Sequence, residues 1–153
     1  MQTAVVADND EQVIPVDLGV RWAPNTSNPL LVQHSIQGTL VVGPHFDDAD
    51  QRLVVIRIDG CWGVWLGPPN DEGRASHPLW DKGLSSCLWA GEVLHSRRIA
   101  GAGGLAGVSA ITPRPRHWIL LFKENTAECV GDAIRVDRVN RDELSTRLID
   151  HRR

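Results

Sequence analysis

The sequence predicts an α+β fold that is mostly β: an antiparallel sheet of six to eight strands, curled or closed into a partly open barrel, with a C-terminal amphipathic helix. Three observations carry this expectation. Apolar residues recur with period two or in short runs of strand length. Turn residues separate those runs at short intervals. No helical segment of crossover length lies between them, and parallel strands would need one. The chain has 153 residues, of which 42% are hydrophobic and 23% charged, enough for one globular domain with its own core. We take residues 1–12 as a polar N-terminal arm and residues 13–153 as that domain.

From Val13 to Trp22 the apolar residues Val16, Leu18, Val20 and Trp22 alternate with Asp17, Gly19 and Arg21, the pattern of a half-buried strand. Pro15 lacks an N–H and confines that strand to a sheet edge or to its own first residues. Ala23 to Pro29 is a loop on its turn chemistry. Leu30 to Val42 is a second β segment, bent at Gly38. Leu53–Ile58 and Cys61–Leu66 flank Asp59-Gly60, which predicts a type I′ hairpin. Gly67 to Gly83 reads as loop. Leu84 to Ile99 is compatible with strands around Cys87–Trp89 and Glu92–Leu94, or with a short helix weakened by Gly91. Gly101 to Gly107 is a flexible link. The nearly continuous apolar run Trp118–Lys123 predicts a central strand buried on both faces. Ala127–Val130 and Asp132–Val139 complete the strands. Asn140 caps a helix over 140–152, with Glu143 at its third position and Leu144, Leu148 and Ile149 as its apolar stripe.

Composition narrows the function classes. The three cysteines, Cys61, Cys87 and Cys129, are far apart and form no CxxC pair, so neither a disulfide framework nor a structural zinc site is expected. Residues 1–10 lack the pattern of a signal peptide, and no apolar run approaches the length of a membrane span; the expectation is a soluble, cytoplasmic protein without membrane contact. Residues 1–93 carry 5 Lys/Arg against 12 Asp/Glu, and residues 94–153 carry 11 against 7. That basic excess is modest, so nucleic acid is not the expected partner. Six tryptophans stand beside no tyrosine, a composition that serves cores, interfaces and ligand walls alike.

Several segments bear polar groups capable of chemistry. Gly101-x-Gly103-x-x-Ala106 approaches a dinucleotide fingerprint, but Val108–Pro113 is too short to supply the helix that the motif requires. His45–Asp50 lacks the central glycine and terminal glutamate of a calcium loop and reads as a solvated acidic turn. The segment after Leu66 is richer. Asn70, Asp71, Glu72 and His77 lie on a loop that a rigid sheet would present. Asp71 or Glu72 with His77 makes a candidate acid–base pair, and Glu128 is a further carboxylate for the same set. A plain turn with solvated side chains is the competing reading. Arg97, Arg98, Arg114, Arg116 and His117 bracket the Gly-rich link and form a candidate anion-binding set, against simple solvation of two loop ends. No metal site and no cofactor is expected.

The run Gly67-Pro68-Pro69-Asn70-Asp71-Glu72, then His77-Pro78-Leu79 and Lys82-Gly83-Leu84, with His117-Trp118-Ile119, Phe122 and Glu128-Cys129-Val130, resembles a pattern in an uncharacterised family of small bacterial proteins. The resemblance spans about residues 52–131 and implies one shared domain without naming a function. The leading expectation is a protein-interaction or ligand-binding module, with another protein or a second copy as partner. Whether the chain is an enzyme stays open: the first alternative is acid–base or metal-assisted hydrolysis at the 70–77 loop, and the second is weak binding of an anion or nucleic acid.

Overall fold

The computed structural model describes residues 10–23, 28–102 and 114–149. They form a mostly β protein of two antiparallel sheets, which do not close into a barrel. The strands are β1 (Gln12–Pro15), β2 (Leu30–His34), β3 (Gln37–Val42), β4 (Leu53–Asp59), β5 (Gly63–Gly67), β6 (Ala90–Leu94), β7 (Arg116–Leu121), β8 (Thr126–Gly131) and β9 (Ala133–Val139). One sheet has the order β1-β6-β7-β8-β5 and the other β2-β3-β4-β9. Two helices, α1 (Arg97–Ala102) and α2 (Arg141–Ile149), and three single 3-10 turns at Arg74–Ser76, Trp80–Lys82 and Leu84–Ser86 complete the secondary structure.

Period two along the strands divides the apolar residues into three layers. Leu40, Val42, Val54, Ile56 and Ile58 of the four-stranded sheet meet Trp118, Leu120, Ala127 and Cys129 of the five-stranded sheet in the main core. On the outer face of the four-stranded sheet, Val41, Leu53, Val55 and Val139 are covered by Leu144 of α2. On the outer face of the five-stranded sheet, Val13, Val93, Ile119 and Leu121 pack under Leu79, Leu84 and Cys87 from the 3-10 turns. The run from Trp118 is the middle strand of its sheet, and residues 117 to 122 are buried on both sides, as its unbroken apolarity predicts.

The Asp59-Gly60 hairpin does not form. β4 pairs with β3 and β9, whereas β5 lies in the other sheet and pairs with β8. A type I′ turn needs positive φ at both central residues; Gly60 has φ 56° and Asp59 is not in that region. Asp59 instead keeps its place in β4, opposite Ala133, and its carboxylate holds the Arg135 guanidinium. The chain turns a corner here from one sheet to the other. A second corner, β8 to β9 through Asp132, runs beside it, tied by Asp132 N–H to Asp59 C=O (2.8 Å) and Trp62 N–H to Val130 C=O (3.1 Å). The tight hairpin lies instead inside the segment expected to bend at Gly38: His34 pairs with Gln37 across Ser35-Ile36, with Ser35 at φ 53°.

Other expectations shift in detail. β1 ends at Pro15 on the sheet edge; beyond it residues 16, 18 and 20 stay half-buried while 17 and 19 are exposed, without ladder pairing. The first ambiguous strand, Cys87–Trp89, is an irregular bend after the 3-10 turn Leu84–Ser86; the second is β6, and the polar residues after it start α1, which takes in Gly101 and Ala102 of the expected link. Residues 1–9 of the expected arm, 103–107 of the link and 150–152 of the C-terminal helix lie outside the described residues, as do the side chains at 148 and 149.

The corner makes a prediction. A Cβ on Gly131 would stand 2.5 Å from Ile58 Cγ2 and 2.8 Å from the Asp59 carbonyl oxygen. Gly131→Ala should therefore cost about 1–3 kcal/mol through overpacking. Urea unfolding should register this as a lower midpoint with an unchanged slope.

Candidate functional site

The outer face of the five-stranded sheet carries the densest group of polar side chains. Ile119 of β7 and Trp65 of β5 are register partners of Glu128 on either side of β8. Cross-strand partners share a face, so Glu128 points outward between them. His117, two residues before Ile119, lies on the same face. Apolar residues continue this surface under the 3-10 turns, and Glu128 sits where that cover ends. The turn region supplies His77, and α1 supplies Arg98.

Four side chains from four segments converge. His117 Nε2 lies 2.9 Å from Glu128 Oε2, Arg98 Nε 3.0 Å from the same oxygen, and His77 Nε2 3.4 Å from Oε1. The Glu128 side chain is only 17% exposed, and those of His77 and His117 less still. Each imidazole is oriented from its far nitrogen. His77 Nδ1 accepts the Leu79 N–H (3.1 Å), and His117 Nδ1 is 2.7 Å from Ser96 Oγ. The Ser96 hydroxyl oxygen also accepts the Ile99 N–H at the start of α1, so its own proton is available to His117 Nδ1. Both rings then carry a proton on Nε2, facing the carboxylate. The His117 N–H is poorly aligned with Oε2 despite the short separation, so that contact is a close polar approach rather than a directed hydrogen bond.

Arg98 is held twice. Its Nε binds Glu128, and its guanidinium carbon lies over the Trp65 ring, 4.1 Å from the ring centre, a cation–π attraction that suits arginine. Gly63 makes room for the ring, since a Cβ there would come within 2.3 Å of it. The two terminal nitrogens of Arg98 have no partner among the described residues. Arg98 lines a cleft of about 380 Å³ together with His77, His117, Leu79, Arg97, Glu11 and Glu128.

Burial pushes the Glu128 carboxyl upward, but the contacts from His117, His77 and Arg98 outweigh it and hold the group well below the ordinary carboxylate range. The site thus keeps a fixed negative charge at neutral pH. Among the described residues, no group of three or more His, Cys, Asp or Glu is placed to hold a metal ion. The three cysteines are buried thiols whose pKa burial raises, so they are poor nucleophiles.

The expected sets are therefore redistributed. His77 and Glu128 come together, joined by Arg98 and His117 of the other set. Asn70, Asp71 and Glu72 do not reach them: Asn70 Oδ1 accepts the Gly73 N–H, Asp71 Oδ1 accepts the Glu72 N–H, and Glu72 is exposed. These are local turn contacts. Arg97 borders the cleft but is spent on Asp10 and Glu11. Arg116 forms a two-pronged pair with Glu92, and Arg114 is exposed. Sequence reasoning missed Ser96 and Trp65. A serine before a basic helical start is a cap signal, but nothing local ties it to His117.

The acid limb of stability tests the charge. Glu128 is depressed in the folded state, so its contribution is complete above the unfolded carboxyl pKa of about 4.3 and is lost as pH falls below it. At pH 7, Glu128→Gln should cost about 3 kcal/mol, because Arg98 loses its counter-charge. That difference from the unsubstituted protein should shrink steadily below about pH 4.3, as read by urea unfolding at each pH.

Comparison with protein-family models, with curated proteins and with solved structures finds no match.

Proposed function

We propose that this chain is a small-molecule binding module whose Glu128 cleft takes the carboxylate or phosphate of an anionic ligand. The observation that carries the reading is Arg98: anchored through Nε and held over Trp65, it has two terminal nitrogens directed to no described partner beside a cleft. A guanidinium prepared in this way loses little further freedom on binding, which is the main advantage of preorganisation. Its remaining N–H groups match two oxygens of a planar or tetrahedral anion. His77 and His117 add N–H-bearing rings to the same wall, and Glu128 cancels enough charge for the site to stay folded when empty.

Inorganic phosphate and succinate, titrated at constant ionic strength with chloride as control, test this. Each bound anion should raise the melting temperature and shift the Arg98 side-chain resonances. Arg98→Lys, which keeps the charge but loses the fork, should weaken binding about tenfold or more. Equal responses to phosphate, succinate and chloride would remove the proposal.

A second reading, acid–base catalysis on the bound anion, is favoured by one arrangement. Ser96 hydrogen-bonds His117, whose Nε2 lies 2.9 Å from Glu128, and His77 faces the same carboxylate from the cleft wall. Carboxylate-oriented imidazoles of this kind serve as general acids and bases. Turnover of p-nitrophenyl phosphate or acetate, abolished by His77→Ala, would support it; rates no higher than buffer with either ester would exclude it for these substrates.

A further inference from the structure

A second surface, around Leu88, shares no lining residue with the anion cleft. Leu88 is the most exposed large apolar residue of those described, at 75%, between Cys87, which is buried, and Trp89, which is half-buried. Its neighbours are two tryptophans with their polar atoms already engaged. Trp22 Nε1 donates to the Leu121 carbonyl (2.8 Å), and Trp89 Nε1 donates to the Trp22 carbonyl (3.2 Å). Trp22 is buried in the main core, so the half-buried Trp89 ring supplies the accessible apolar surface beside Leu88. Two hollows share Trp22, Leu88 and Trp89 as walls. The larger, about 430 Å³, is mainly apolar along Leu18, Val20 and Ala90, with Asp17, Arg21 and Ser86 as its polar lining. The smaller, about 200 Å³, ends at Phe122, Arg74 and Lys123.

The charge at that end is unbalanced. Lys123 is half-buried and has no ion-pair partner among the described residues. Arg74 donates one bond, from Nη2 to the Phe122 carbonyl, and its Nε is buried with no hydrogen-bond partner. Asp71 borders the same hollow and is the one carboxylate lining it. Two cations thus face one anion at the end of an apolar channel wall. A half-buried cation without an ion-pair partner, as Lys123 is among the described residues, is costly, and a ligand carboxylate would relieve that cost.

We infer that this groove is a second binding site, specific for an amphiphilic monocarboxylate whose aromatic or aliphatic body lies against Leu88 and Trp89 and whose carboxylate meets Lys123 and Arg74. The larger hollow alone is of ordinary ligand-site size. Apolar burial against Leu88 and Trp89 supplies affinity, and the cation pair supplies the preference for an acid over a neutral isostere. The site shares no lining residue with the Glu128 cleft, so it stands independently of the function proposed above.

The probes are 2-naphthoate and its neutral counterpart 2-naphthalenemethanol, titrated by calorimetry into the full chain. The naphthoate should bind about tenfold or more tightly than the alcohol, the ratio expected for a charge-assisted hydrogen bond. Lys123→Gln should bring the two affinities together. Leu88→Ser, at an exposed position where folding is not at stake, should weaken both. Arg98→Lys should change neither, which separates this site from the anion cleft. Equal affinity for acid and alcohol, a Lys123→Gln protein that still prefers the acid, or binding insensitive to Leu88→Ser would each overturn the inference.

Discussion

A carboxylate taken largely out of water has to be matched, and Glu128 is matched from three directions. Isolated in a low-dielectric surrounding, the charge would cost several kcal/mol. The fold offsets that cost by bringing Arg98 from α1, His77 from the 3-10 region and His117 from the neighbouring strand onto its two oxygens. None of these segments adjoins β8 in sequence except β7. The local arrangement therefore exists only when the sheet register, the cap over the sheet and the short helix are all in place. The same contacts explain why the group stays ionised and why Arg98 is fixed with nitrogens to spare.

The register itself follows from the two corners. β4 and β5 run as one bent strand across both sheets, and β8 and β9 run antiparallel beside them through the second corner. Sheets packed across such bends need small residues where the strands pass closest. Gly131 meets Ile58 and Asp59 there, and Gly38 lies against Val64 and Cys61. Once β5 and β8 are in register, Trp65 falls beside Glu128 and the cation–π surface for Arg98 is built. Packing in the main core thus determines the geometry of a polar site on the outer face of the same sheet.

What could be read from the residues alone divides along local and non-local lines. The run from Trp118 announces a doubly buried strand because its burial is written in consecutive residues. The exposure alternation of residues 16 to 20 persists without ladder pairing, for the same reason. The Asp59-Gly60 expectation failed because turn chemistry specifies a local bend, whereas the choice between pairing back and crossing to another sheet is decided by distant partners: β9 for β4 and β8 for β5. Ser35-Ile36 carries no glycine or asparagine signal, so the hairpin there was invisible. At the site, His77, Arg98, His117 and Glu128 were each identifiable as chemically able, but as members of two separate sets. Their union depends on Ile119 and Trp65 both standing opposite Glu128, which no spacing along the chain discloses. Asn70, Asp71 and Glu72 stayed in their turn because backbone N–H groups one and three residues on claim the Asp71 and Asn70 oxygens.

The cleft depends on both imidazoles presenting a protonated Nε2 to one ionised carboxylate. Long-range proton–nitrogen correlation spectra of the histidine rings at neutral pH measure this directly. Protonated Nε2 atoms on both His77 and His117, with resonances displaced in Glu128→Gln, are the predicted result. An unprotonated Nε2 on either ring would contradict the arrangement on which the cleft depends.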